Sequence, residues 1–370
     1  MGEPEWRAVR EVIESGWITQ GPRVAALETA MAGWCETRHA VAVSSCTAAL
    51  HLALLCSGVG HGDEVIVPSM SYIATANAVA HAGATPVFAE VDPRTFNLDP
   101  ADARTRITPR TKAIVLVHQL GLPADIDELQ ALARAHDLRL IEDAACALGS
   151  RYRGRPIGSH SDLVCFSFHP RKIASTGEGG VITTSSDTLA ERLRRLRQHG
   201  MSVSDSARHS ASRVIRESYG EVGYNYRLTD LQAAIGIEQL KRLPAILRAR
   251  RRLRERYDAA FAAGEIIEPP YVPEYVEWNV QSYAVRLRGF DVRRRDAVMQ
   301  RLLDAGIASR PGVMTAHREP AYGPPGSISL PVSEAASDTT LQLPLYPSLA
   351  AQEQDEVIRA LRNAVGELAW

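Results

Sequence analysis

Lysine is nearly missing from this chain: Lys112, Lys172 and Lys241 stand beside thirty-nine arginines in 370 residues. A genome of skewed base composition accounts for such a replacement, but it sharpens the question of why each lysine remains. An excess of either charge is also lacking. The net charge is −1 with both signs interspersed, so nothing in the balance recruits nucleic acid or an anionic membrane surface. No apolar run approaches the roughly 20 residues needed to cross a bilayer. The opening MGEPEWRAVREVIESG has no basic segment followed by an apolar core, so the chain is expected to be soluble and cytoplasmic. The five cysteines (Cys35, Cys46, Cys56, Cys146 and Cys165) are odd in number and scattered, with no CxxC pair and no zinc-ligand spacing; they read as reduced thiols, with no metal expected. G-x-x-x-x-G-K-[ST], G-x-S-x-G and H-E-x-x-H are all absent, which removes ATP-loop, serine-hydrolase and zincin readings. The glycines of GEGG do not match a dinucleotide fingerprint.

What is present is an alternation of short apolar runs and helical patterns. HAVAVSS (39–45), DEVIVPS (63–69), TPVFAEV (85–91), KAIVLVH (112–118), LRLIED (138–143), DLVCFSF (162–168) and GVITT (180–184) are strand candidates. Helix-like stretches such as TAALHLALLCSG and DIDELQALARAHD separate most of them, which predicts a mostly parallel sheet with both faces covered. Ligands of such sheets collect beyond the carboxyl ends of the strands. After about residue 230 the texture changes to long amphipathic helices, and a chain of this length exceeds what one core usually supports. We therefore expect a large domain over 1–235 and a smaller one over 236–370. The stretch 200–226 has no clear period and reads as a loop, and RARRRLRERY reads as a solvated helix face.

Lys112 opens a strand and Lys241 sits beside an arginine on a helix, both ordinary places for a solvated charge. Lys172 differs. It lies between a strand expected to be buried and the glycine-rich STGEGG, where burial disfavours the ammonium and the freed amine can form a Schiff base with a carbonyl. Asp143, ending LRLIED, suits the partner of a protonated pyridine nitrogen, though it is equally an ordinary cap or turn acid. Cys46, Thr47 and Ala48 open a helix directly after a strand, where free amides and the helix dipole attract a phosphate; routine capping by Ser45 or Thr47 explains the same residues. Ser167 is placed to reach that phosphate. Tyr72 offers a stacking face or a simple rim aromatic.

Taken in order, GWITQGPRVAALE, SSCTAALHLAL, GDEVIVPSMSYIATANAV, EDAACALGS, FSFHPRKIASTGEGGVITT and GYNYRLTDLQAAIG resemble the nucleotide-sugar aminotransferases of the DegT/StrS type. The likeness runs from about residue 16 to LPLYPSL near 349. It implies the α/β architecture of PLP-dependent transferase fold type I, with a mostly parallel central sheet in a large domain and a smaller C-terminal α+β domain. It implies pyridoxal 5'-phosphate as cofactor, with Lys172 as its covalent anchor, Asp143 at the ring nitrogen, and Tyr72 stacked on the ring. Cys46, Thr47, Ala48 and Ser167 fall on the phosphate positions, and Asn225 of GYNYR on an asparagine reaching the phosphate from a second subunit, hence a homodimer with shared sites. Glu178 and His317 fall in segments that border the sugar, while His169 reads as structural. Two departures stand out: Cys46 replaces a common glycine, and Cys146 a common glutamine that bonds near the cofactor's phenolic oxygen. The implied reaction transfers nitrogen from L-glutamate to a nucleotide-linked keto sugar, in the first place a 4-keto-6-deoxy sugar, with ping-pong kinetics. A cyclitol-type ketone, or a non-catalytic sensor of the cofactor or sugar nucleotide, are the alternatives. Dehydratase relatives carry histidine in place of the lysine, so Lys172 argues against that chemistry.

Overall fold

The computed structural model describes residues 1–203, 208, 211–262, 264–324 and 326–368. All seven strand candidates pair into one sheet: β1 (His39–Val43), β2 (Glu64–Pro68), β3 (Thr85–Ala89), β4 (Thr111–Val117), β5 (Arg139–Asp143), then, beyond a small hairpin of β6 (Arg151–Tyr152) and β7 (Arg155–Pro156), β8 (Leu163–Ser167) and β9 (Gly180–Thr184). Their order is β1-β9-β8-β5-β4-β2-β3. Only β9 runs against its neighbours, so the carboxyl ends of the other six share one edge and β9 starts from it. Every residue of β2, β8 and β9 is buried, which is why these strands read as continuous apolar runs without alternation.

Successive residues of each strand feed opposite layers. On one side Ile66, Ile114, Val164 and Phe166 pack with Leu27 and Met31 of α2 (Pro22–Cys35) and with Ile126 and Leu129 further on. On the other, Val65, Val67, Val115 and Cys165 pack with Leu50, Leu52 and Leu54 of α3 (Cys46–Cys56) and with α4 (Ala74–His81). Between β3 and β5 the chain adds α5 (Pro100–Thr105) and α6 (Ile126–Ala135); α7 (Asp187–Leu196) follows β9.

The long helix α8 (Asp230–Phe261) starts on a capping box formed by Thr229 and Gln232. Asp230, 1% exposed, accepts from the amides of Gly21, Arg23 and Val24 at 2.8, 3.0 and 2.9 Å. One carboxylate thus satisfies the open N-terminus of α2 and ties α8 to it, a favourable placement of negative charge at a helix dipole. The near half of α8 packs on α2 and on α1 (Glu3–Ser15), while Tyr257 near its far end lies 4.8 Å from the Tyr283 ring. The expected boundary at 235/236 therefore falls inside a continuous helix. RARRRLRERY, read as a solvated face, is amphipathic: Ala249, Leu253 and Tyr257 are buried, and among its arginines Arg250 is buried too, at 6% exposed.

Beyond α8, β10 (Ile267–Glu268), β12 (Tyr283–Leu287), β14 (Thr340–Leu343) and β13 (Arg310–Pro311) form an antiparallel sheet in the order β10-β12-β14-β13, and β11 (Val276–Glu277) joins the β6–β7 hairpin. Helices α9 (Val292–Asp304), α10 (Pro331–Thr339) and α11 (Ala351–Leu368) complete this part. In the stretch expected as a loop, 204–207 and 209–210 lie outside the described residues; bridges join Gln198 to Asn225 and Met201 to Tyr219. Among the described residues no helix is long and apolar enough to cross a membrane.

Candidate active site

The sheet edge where six strands end gathers most of the singled-out residues. Ser167 closes β8 opposite Gly180, and Gly180 lies opposite Val43, so Ser167 stands one strand away from the turn that carries Ser45 into α3. Ser45 is the helix cap, its hydroxyl accepting from the Ala48 amide at 3.1 Å. The amides of Cys46 and Thr47, in the first turn, have no partner within the helix. A Cβ on Gly180 would stand 2.5 Å from the Ser45 carbonyl and 2.7 Å from the Cys46 nitrogen. Glycine at the start of β9 is what lets this amide-bearing turn sit against the sheet edge.

Asp143 ends β5 and is buried. Its two oxygens accept from the Thr75 hydroxyl at 2.8 Å and the Ala145 amide at 3.0 Å, and Thr75 in turn contacts the Ser71 hydroxyl at 2.8 Å. Burial pushes the Asp143 pKa up, against the pull of the Ala145 amide, the Thr75 hydroxyl and Lys172. A buried acid in this state favours a cation beside it.

The Lys172 amine donates to the Cys146 thiol at 3.1 Å. Sequence reasoning expected burial to free this amine of its proton. Burial does push it down, but Cys146, Cys46 and Asp143 outweigh it and leave Lys172 above its ordinary pKa. Burial raises Cys46 well above the usual thiol value, so Cys46 is a neutral thiol near pH 7, and Asp143 is the neighbour able to hold a lysine proton. The donor set fits a phosphorylated pyridine aldehyde: an amine, a buried acid, and amides at a helix N-terminus share one sheet edge. Lys112 and Lys241 are exposed, and Lys241 pairs with Glu238 at 2.6 Å.

The remaining candidates surround this cluster or lie apart. Tyr72, four residues beyond β2, is 63% exposed. Glu178 and Asn225 are exposed; the Glu178 carbonyl accepts from Thr176 at 2.6 Å and Gln232 at 2.7 Å, which holds its loop while the carboxylate stays open. The His169 ring accepts from the Arg171 amide at 3.2 Å, a local turn contact in keeping with a structural role. His317 differs from what a substrate contact requires: it is 2% exposed, one ring nitrogen is against the Ser69 hydroxyl and the other is 3.1 Å from Glu334. No free ring nitrogen is offered; the histidine braces the segment that follows β2. Thr75 was missed, although its place in the first turn of α4, three residues after Tyr72, is visible in SMSYIATANAV. The amides of Asn279 and Gln281, which reach the lysine region from more than a hundred residues away, were also missed and left no local signal.

The model of the DegT/DnrJ/EryC1/StrS aminotransferase family matches residues 1–362. The chain belongs to that family. It is 44% identical over 358 residues to the GDP-perosamine synthase of Caulobacter vibrioides, covering 95% of this chain and 93% of that protein. A putative sugar aminotransferase, Spr1654 from Streptococcus pneumoniae, superimposes in its PMP form with a TM-score of 0.94 at 32% identity, covering 100% of this chain and 98% of that one. Its PLP form gives 0.92 at 32% identity, with 100% and 97% covered.

Proposed function

We propose that this chain is a pyridoxal-phosphate-dependent aminotransferase that moves nitrogen from L-glutamate to a nucleotide-linked 4-keto-6-deoxy sugar, acting in the cytoplasm as a homodimer with shared sites. Family membership supports the reaction class, and the name of the 44% relative supports a nucleotide sugar, with GDP as the first nucleotide to test. The observation that carries the reading is the Lys172 amine, the one lysine of three set beside a buried acid, at the edge where a helix presents open amides.

When bound, pyridoxal phosphate supplies an aldehyde that takes up an amino group and an electron-poor ring that accepts the electrons left when a neighbouring carbon loses its proton. Asp143, held by Thr75 and Ala145, keeps the ring nitrogen protonated. With its charge matched there, Asp143 loosens its hold on the Lys172 proton, and the lysine becomes competent as a base. Lys172 would then be the group that takes the proton from the glutamate α-carbon and delivers it across the shared nitrogen, on the carbon that the cofactor's aldehyde supplies. The Cys46 and Thr47 amides and the Ser167 hydroxyl bind the phosphate, joined by Asn225 of a second copy. Tyr72 covers the ring. The open carboxylate of Glu178 faces incoming sugar, and His317 acts indirectly, through Ser69, on the wall that carries Tyr72.

Mixing the loaded enzyme with L-glutamate alone tests this. The visible absorbance of the aldehyde form should disappear with release of one equivalent of 2-oxoglutarate, and a GDP-linked 4-keto-6-deoxy sugar should restore it faster than dTDP- or UDP-linked counterparts. An unchanged spectrum would overturn the transaminase reading. Restoration only by a cyclic ketone without a nucleotide would overturn the substrate class.

A further inference from the structure

The backbone around Lys172 is held from far away in sequence. The side-chain amide of Gln281, just before β12, accepts from the Ile173 amide at 3.0 Å and donates to the Arg171 carbonyl at 2.6 Å. These two groups belong to the residues on either side of Lys172. A single planar amide therefore bridges the two peptides that meet at the lysine α-carbon and fixes the direction in which its four-carbon stem starts. The stem has several rotatable bonds, so where its base points decides where the amine arrives.

The same short segment holds the group that the amine meets. Asn279 donates to the Cys146 carbonyl at 2.7 Å and the Leu148 carbonyl at 2.9 Å, and its own oxygen accepts from the Gln281 amide at 2.9 Å. Between the two amides lies Val280, fully buried at φ 57, a left-handed conformation that a β-branched residue rarely adopts and that persists only when its surroundings enforce it. They do: buried Arg250 donates to the Val280 carbonyl at 2.9 Å and the Gln281 carbonyl at 3.1 Å, and the Ser150 hydroxyl accepts from the Asn279 amide at 3.1 Å. Gly121 allows the close fit, since a Cβ there would stand 2.1 Å from the Asn279 oxygen. The backbone turn at Val280 is what sends the Asn279 and Gln281 side chains to the two halves of the Lys172–Cys146 contact.

We infer that Gln281 is a positioning residue for Lys172: without touching cofactor or substrate, it sets the aim of the amine through the peptides on both sides. The inference rests on the role proposed above for Lys172. Its test has a readout that needs no turnover. In the full chain without cofactor, limited acetylation followed by peptide mass spectrometry gives the reactivity of Lys172 relative to Lys112 and Lys241, which serve as internal references. For Gln281→Leu, which has neither donor nor acceptor, the Lys172 ratio should rise about tenfold as the amine leaves its half-buried place beside Cys146. In the loaded enzyme, kcat should fall at least about tenfold with the KM for glutamate within about twofold, the pattern of a misplaced group and not of lost binding. Gln281→Glu keeps the acceptor for Ile173 and loses the donor to Arg171, so it should lie between the two by both readouts. A ratio and a kcat both within about twofold of wild type would overturn the inference, as would a fall in kcat with the ratio unchanged. If the leucine variant does not fold, the glutamate variant decides by the same criteria. If the glutamate half-reaction fails in wild type, the acetylation ratio still reports on Gln281, which separates the two failures.

Discussion

In the proposed reaction Lys172 and Asp143 divide the work at the scale of single residues, one moving a proton and the other holding a charge. Replacing Lys172 by alanine should abolish turnover while the circular dichroism spectrum and cooperative melting are retained. Replacing Asp143 by asparagine keeps the shape and one acceptor, for the Ala145 amide, while an NH2 group meets Thr75, and it removes the anion proposed to keep a ring nitrogen protonated. We expect kcat to drop by about two orders of magnitude or more, since an opposing charge at hydrogen-bond range is worth about 1–3 pKa units and the electron sink depends on it. A kcat within about fivefold of wild type in a steady-state assay would contradict that role. Both residues were legible from position along the chain, Asp143 at the end of β5 and Lys172 in the loop between β8 and β9. Burial alone points to a lowered Lys172 pKa, and the neighbours that move it the other way, Cys146 and Asp143 among them, come from elsewhere in the chain. Thr75, Asn279 and Gln281 were missed for a related reason: a side-chain amide or hydroxyl gains its role from what it touches, and the contacts here span 68 residues or more.

Among the elements, the turn from β1 into α3 is the most sensitive. A methyl group at Gly180 would press on the Ser45 carbonyl and the Cys46 nitrogen at 2.5 and 2.7 Å, and backbone atoms there cannot move aside cheaply. Gly180→Ala should weaken cofactor binding by about tenfold or more, measured by fluorescence titration, because it shifts the amides proposed to bind the phosphate. The segment braced by His317 makes a different prediction. Glu334 accepts from the Leu330 amide at 3.0 Å and from Arg318 at 3.0 Å, and its pKa falls from 4.5 to about 2, with the Leu330 bond the largest cause. A depressed carboxylate pKa contributes stability above pH 4.5 that is lost as pH falls toward 2. With the side chain 27% exposed, solvent screening reduces this to about 1–2 kcal/mol. Thermal melts should place Glu334→Gln below wild type at pH 7, with the gap closing as pH falls through this range. The elements themselves were the most readable part of the sequence: all seven strands fall on the apolar runs singled out. The arginine run looks uniform in sequence, and the carbonyls of Val280 and Gln281, distant along the chain, are what turn Arg250 inward.

For the whole molecule, the proposed dimer completes each site with Asn225 from a second copy, so two inactive variants should rescue one another. Mixing Lys172→Ala with Asn225→Ala under conditions that exchange subunits should restore up to roughly a quarter of wild-type activity, because half of the dimers are mixed and each has one intact site. No recovery would contradict the sharing of sites. The central claim is narrower: one amine, at position 172, carries the cofactor. Borohydride reduction of the loaded enzyme followed by peptide mapping tests it directly, aided by a chain with two other lysines. The account predicts the phosphopyridoxyl label on Lys172 alone; a label on Lys112 or Lys241, or no label, would contradict it.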